Sequence, residues 1–367
     1  MKRLGLIAGA ADYTKLWAAG AASAPSATYD PATQRLLVPD FLPLDGQRVA
    51  LIHEIAHAVT DQRFDLRRFL APSSDAATAP LDGDATRARL ALVEGDATLA
   101  TLEVVDRSGA FLRPTALGAL ADRLRATAGE DQPPWLAEMT RFMHVDGFLF
   151  VARVRARQPW SAIDALWRDP PASSEQVLHR DKYESCEAPI AVPESAFPPL
   201  PGFDRPKASD VMGELVVRAW LATALPPEIA ARAAAGWGGD RAALYAAVPA
   251  AAPAAAPSNR PDGGGEAPPA PPLRTAQAPP LAWLTIWDDG GEADDFARAA
   301  AAVAGGANVM RRGEAVASFL GAPELAPAAL EGMLDGWKAT LKAAKAARSR
   351  RAAQPACSRR DRAAGLR

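Results

Sequence analysis

The chain has 367 residues, of which 41 are basic and 43 acidic, so its charges nearly cancel and no global field draws it toward nucleic acid or an anionic membrane. With 49% hydrophobic and 23% charged residues it is ordinary globular material, long enough for roughly two domains. Cys186 and Cys357 lie far apart and outside any Cys-x-x-Cys spacing, which excludes a disulfide framework and a thiolate zinc site. No apolar run approaches the roughly 18 residues that span a bilayer, so no transmembrane segment is expected.

In chain order, Met1-Lys2-Arg3 followed by Leu4 to Ala11 imitates the start of a signal peptide, but Asp12 interrupts the apolar stretch. It reads as the first helix of the domain, and no convincing export signal is expected. Ala27 to Pro31 and Leu36 to Val38 place β-formers on either side of a proline turn, a hairpin pattern. From Asp45, a plausible cap, Val49, Ile52, Ala56 and Val59 recur at helical intervals and predict one buried face.

That helix carries His53-Glu54-Ile55-Ala56-His57. Side chains four residues apart project from the same helical face, and two imidazoles there reach a single Zn²⁺ at about 2.0 to 2.1 Å. Glu54 stands beside them, placed to act as general base toward water that zinc acidifies. A catalytic zinc takes three protein ligands and keeps one position open, so a third is sought downstream. A second helical pattern over Thr86 to Val105 contains Leu92-Val93-Glu94-Gly95-Asp96-Ala97, an acid amid apolar neighbours. Glu94 is the expected third ligand, the alternative being a surface glutamate. Gly95 in mid-helix costs about 1 kcal/mol relative to alanine, which suggests that another backbone, such as the motif helix, passes close. Asp61 and Asp96 are expected to support the site or face solvent rather than ligate.

A donor near the metal is needed for the oxyanion that forms on carbonyl attack, and His144, in Phe142-Met143-His144-Val145-Asp146-Gly147, is the preferred candidate over a plain helix-start or core histidine. His179 follows a Ser173-Ser174-Glu175-Gln176 helix-start signal and reads as a capping or surface residue. Tyr183 and Arg241 are remote candidates, and Trp135, Trp160 and Trp167 read as core.

Residues 249–280 include ten prolines in 32 positions, with Ala, Gly and Ser making up most of the rest, so a disordered linker is expected there. Leu281 to Trp287 reads as a strand and Glu292 to Val303 as an amphipathic helix, together a small α+β module. Beyond Trp337, ten basic residues and one acid in 30 positions predict a basic helix fraying into a tail.

A helix bearing His-Glu-x-x-His followed by a glutamate on a later helix resembles the gluzincin class of zinc metallopeptidases. Leu4 to Ile7, Tyr29-Asp30-Pro31, His53 to Leu66 (HEIAHAVTDQRFDL), Val93 to Ala97, Ser174 to His179 and Trp237 to Arg241 resemble more closely a poorly characterised group of bacterial metalloproteases. In that group a tyrosine tends to stand where this chain has His144. The resemblance implies zinc on His53, His57 and Glu94 with Glu54 as base, and many relatives that are exported or lipid-anchored. Localisation stays unassigned.

The expected architecture is α+β: a helix-rich zincin-like domain over 1–190, a connecting segment and start of a second module over 191–248, the linker over 249–280, an α+β module over 281–345 and a basic disordered tail over 346–367. The expected function is zinc-dependent hydrolysis of a peptide or protein substrate through an activated water, with a hairpin strand pairing with the extended substrate. The competing readings are a zinc-binding scaffold or adhesion module without catalysis, and a chance match in an alanine-rich helical protein. No nucleic-acid partner is expected.

Overall fold

The computed structural model describes residues 4, 6, 27–71, 82–206, 208–246 and 279–352. Most of the first-helix reading over Leu4 to Ala11, nearly all of the 249–280 linker and the last part of the tail fall outside them.

A two-stranded antiparallel hairpin opens the described chain, β1 (Thr28–Asp30) and β2 (Arg35–Leu37). The long helix α1 (Leu44–Phe64) follows, then the short α2 (Leu66–Leu70) and α3 (Gly83–Val105), whose N-cap Asp82 accepts the Ala85 N–H at 2.8 Å. Next come α4 (Pro114–Thr127), α5 (Pro134–Arg141), a π-helical turn (Phe142–Asp146) and α6 (Gly147–Arg155). Three short helices close this helical half: α7 (Trp160–Arg168), α8 (Ser174–Leu178) and α9 (Arg180–Glu184).

The second half adds β3 (Ala208–Asp210), α10 (Gly213–Leu221), α11 (Pro227–Ala234) and β4 (Trp237–Leu244). After residues 247–278 it resumes with β5 (Leu281–Trp287), α12 (Gly290–Ala304), β6 (Val309–Arg312), β7 (Ala315–Leu320) and α13 (Ala326–Ala352). The five strands form one antiparallel sheet in the order β3-β4-β5-β7-β6, so chain on both sides of the proline-rich stretch contributes to one unit. The α+β class expected from the sequence holds. Among the described residues no helix is long and apolar enough to cross a membrane.

Both faces of the sheet are covered. Every residue of β5 is buried; Trp283 and Trp287 face the core shared with Trp220, Phe296 and the helical half, while Leu284 and Ile286 join Phe197, Phe319, Met333 and Trp337 beneath α13. Where the halves meet, the buried carboxylate of Asp240 on β4 accepts main-chain N–H groups of Met212 and Gly213 and the indole N–H groups of Trp237 and Trp283, at 2.7 to 3.1 Å. Asp84, in the first turn of α3, accepts the Ser174 N–H at 2.9 Å and is fully buried beside Gly213. Burial pushes its carboxyl up to about 7.

Several sequence expectations change. Asp45 lies in the first turn of α1 and Pro43 holds the cap position. The apolar stripe of α1 is not the buried face expected: Val49 is 58% and Val59 60% exposed, Ile52 and Ala56 are half-buried, and the residues the helix buries are Gln47, His57 and Asp61. The helix presents its polar side to α3, because that side carries the histidines. Gly95 does admit another backbone, but that of α6 rather than α1: a Cβ on Gly95 would lie 2.2 Å from the Gly147 carbonyl oxygen, and one on Gly147 2.1 Å from that of Ala91. The basic C-terminal helix runs past residue 346 to Ala352, anchored by Arg348, which pairs with Glu187 and Asp288.

Gly95→Ala should destabilise the fold by about 3 kcal/mol through overpacking of this crossing, whereas Gly118→Ala, in open space on α4, should stabilise by about 0.5 to 1 kcal/mol. Urea unfolding of both variants checks the opposite signs. For Asp84 the folded carboxyl titrates near 7 and the unfolded one near 3.8, so between those values the folded chain binds more protons and stability falls as pH rises. Asp84→Asn should flatten the decline between pH 4 and 7, read from unfolding midpoints across that window.

Candidate metal centre

The centre is built where α1 packs on α3, which in turn packs against the π-turn. One helical turn separates His53 and His57 on α1, and their Nε2 atoms lie 3.1 Å apart with the rings near perpendicular, at 87°. From α3, Glu94 brings its Oε2 to 3.3 Å from His53 Nε2 and 3.7 Å from His57 Nε2. Four ligands about 2.0 to 2.1 Å from a tetrahedral zinc stand roughly 3.3 Å from one another. The three observed separations bracket that figure. His57 is buried and His53 and Glu94 are partly so, and all three ligand atoms lie within 4.8 Å of one another. The donor set, two imidazole nitrogens and one carboxylate oxygen, therefore fits a zinc ion in chemistry and in spacing.

Electrostatics reinforce the grouping. Burial opposes the charge on Glu94, but hydrogen bonds from His53 and His57 outweigh it and hold the carboxyl well below the usual range. Burial also works against protonating His57, and the Glu94 carboxylate overcomes it, raising the imidazole above its ordinary value. A carboxylate ionised at all ordinary pH values thus faces two ring nitrogens at one point.

The crossing of α3 and α6 places two of these residues. Gly95 and Gly147 allow main-chain contact between the helices, and Glu94 directly precedes the first of them. The π-turn, with one extra residue per turn, begins at Phe142 and ends against Gly147, and it directs His144 inward so that Nδ1 lies 3.5 Å from Glu94 Oε2. The His144 side chain remains 46% exposed, at the rim of the site and able to meet a bound molecule. It is neither a helix start nor a core residue.

Glu54 sits on the same helix as the histidines, and its Oε2 accepts the main-chain N–H of Tyr29 in β1 at 2.6 Å. That N–H is engaged, so an extended substrate could not pair with β1 at Tyr29 without displacing Glu54. Asp61 is buried and accepts from the Tyr29 hydroxyl at 2.7 Å and from the Leu66 N–H at 2.7 Å. Asp96 is buried and accepts from Thr60 at 3.2 Å, tying α3 to α1 beside the ligands. Both acids support the site rather than enter it.

The remaining candidates lie elsewhere. His179 holds the cap position between α8 and α9, as expected, with its side chain partly exposed, and its Nε2 bonds the buried Glu214 at 2.9 Å. Tyr183 donates to the Asp169 carbonyl, and Arg241 to the Val192 carbonyl and Ser209. Trp135 and Trp167 are core, while Trp160 is partly exposed and donates to Glu103.

A second acidic group, Glu175, Glu187 and Asp288, also converges. Here the chain supplies its own cation: Lys182 Nζ stands 3.4 Å from Glu175 and 2.6 Å from Glu187 and pairs with Asp288, and Arg348 closes the far side. Burial would lower the lysine pKa, yet these carboxylates raise it above its ordinary value. This cluster joins α8 and α9 to the end of β5 and to α13, and no sequence signal singles it out because its members are scattered over the chain.

Residues 202–325 match a family model described as a domain of unknown function (DUF8575). The matched stretch is the sheet unit, and none of His53, Glu54, His57, Glu94 and His144 lies in it. No curated protein and no solved structure matches the chain.

Glu94→Ala should lower zinc content to well below one equivalent per chain, while Asp288→Ala should leave it unchanged, measured by elemental analysis after dialysis against trace zinc.

Proposed function

We propose that the chain is a zinc-dependent hydrolase of the metallopeptidase kind, with zinc held by His53, His57 and Glu94. The single observation that carries this reading is the convergence of three ligand atoms from two helices at separations of 3.1, 3.3 and 3.7 Å, with a glutamate next to the first histidine. The sequence resemblance to gluzincin peptidases points the same way. A chance His-Glu-x-x-His in an alanine-rich helix gives no reason for a half-buried acid 41 residues from His53 to meet both rings.

When bound, zinc supplies Lewis acidity that polarises a carbonyl and acidifies water. Glu54 is the general base: it takes a proton from the attacking water and passes it to the leaving amine. His144, half exposed at the rim, is the donor to the carbonyl oxygen as negative charge develops there. Glu94 stays ionised and balances the cation. The substrate is a peptide or protein segment whose scissile carbonyl reaches the rim between His144 and Glu54.

Glu54→Gln should keep a full equivalent of zinc and lose about 10²- to 10⁴-fold in turnover of a peptide library, the range of a general base. Unreduced hydrolysis in that variant removes Glu54 from the role; zinc bound by wild type without cleavage favours the scaffold reading. His144→Phe should lower kcat by about 10²-fold with zinc content intact, and His144→Tyr, which keeps a donor, should lose less.

A further inference from the structure

Glu54 does not stand free beside the histidines. Its Oε2 accepts the Tyr29 main-chain N–H at 2.6 Å, and the same tyrosine is fixed at its other end, where the hydroxyl donates to Asp61 Oδ2 at 2.7 Å. Asp61 Oδ1 in turn accepts the Leu66 N–H at 2.7 Å, which locks that carboxylate against the turn between α1 and α2. Glu54 and Asp61 are seven residues apart on α1, two turns along one face. A single tyrosine therefore spans both acids, main chain on one and side chain on the other.

We infer that Tyr29 is a positioning residue for Glu54, a role that rests on the hydrolase reading above. A free glutamate samples many rotamers, and a charge-assisted bond from a fixed N–H selects one of them. The N–H engages Oε2 alone, which leaves Oε1 with its lone pairs for the proton taken from water. Because the donor is main chain, its location depends on what holds β1. Two restraints do so: the pairing with β2, where Tyr29 lies opposite Leu36, and the hydroxyl anchor on Asp61. Burial and the Asp61 contact push the Tyr29 hydroxyl up to about 12, so it remains a donor throughout the working range. A purely structural role, stapling hairpin to helix, would affect zinc loading and stability without acting through Glu54.

The test uses the full, zinc-loaded chain as Tyr29→Phe, Glu54→Gln and the double variant. Tyr29→Phe should retain zinc and KM while kcat falls about tenfold; in the Glu54→Gln background the same change should alter the residual rate by less than about twofold. Equal losses in both backgrounds overturn the inference, as does a Tyr29→Phe effect confined to KM or zinc content. A second arm needs no turnover and no change at Tyr29: amide hydrogen exchange at Tyr29, read by NMR, should quicken about tenfold in Glu54→Ala relative to wild type. Unchanged exchange overturns the contact. A wild type that binds zinc but cleaves nothing sinks the hydrolase reading instead, and the exchange arm then decides alone whether Tyr29 holds Glu54.

Discussion

The close crossing of α3 and α6 is the constraint on which the rest of the site depends. At Gly95 and Gly147 the two main chains touch, with room for no side chain on either helix. Glycine inside a helix costs about 1 kcal/mol relative to alanine, so two of them at one crossing are a sacrifice of local propensity for approach distance. What the approach gains is placement. Glu94 precedes the first glycine and His144 lies three residues before the second, so the crossing brings both to the histidines of α1. The π-turn contributes the remaining rotation: by adding a residue to one turn it aims His144 at Glu94 while the helix continues on its core-facing register through Phe148 and Val151.

Two acidic clusters in one chain show how differently buried carboxylates are neutralised. Around Glu175 the chain uses an ammonium and a guanidinium, and the result is a strut between the helical half, the sheet and α13. Around Glu94 it uses two imidazoles whose ring nitrogens approach to 3.1 Å. One ring's N–H bonded to the other ring's nitrogen accounts for that approach, and so does a cation shared by both rings and the Glu94 carboxylate; unlike the Glu175 cluster, this one has no lysine or arginine paired with its carboxylate among the described residues. That contrast is why one cluster is a candidate centre and the other is architecture.

How far the sequence reveals this depends on the range of the interaction concerned. The histidine pair was legible because the helical period alone puts residues four apart on one face. Glu94 was legible because an acid amid Leu92, Val93 and Ala97 demands a partner, and a glycine beside it demands a neighbour. Which neighbour was not legible: α1 and α6 both pack on α3, and nothing local distinguishes them. The π-turn leaves no mark in composition, so the inward aim of His144 could only be guessed from its candidacy. The Asp84 and Asp240 joints and the Lys182 cluster join residues tens to more than a hundred positions apart, where pattern carries no information. The apolar stripe of α1 misled because periodicity marks a face without saying which side is inward.

That reversed helix shows how α1 is held. Its exposed side carries Leu44, Val49, Ile55 and Val59, and Leu36, Leu37, Val38 and Phe41 in the segment before it are exposed as well. Its inner side is attached through polar pairs: Gln47 to the carbonyls of Pro39 and Leu42, Glu54 and Asp61 to Tyr29, Thr60 to Asp96, and the histidines to Glu94. Large apolar contact concentrates at its C-terminal end, where Phe64 stacks on Trp167 with ring centroids 5.0 Å apart. Each such hydrogen bond contributes about 1 kcal/mol net, far less than the burial of a leucine stripe would over the same length. A cation shared by two residues of α1 and one of α3 would therefore tie the helix down where its other contacts are weakest, and binding free energy at the centre would double as docking free energy for α1. Metal affinity and the order of the hairpin would then be one equilibrium, since the side of α1 that carries His53 and His57 also holds Tyr29 through Glu54 and Asp61.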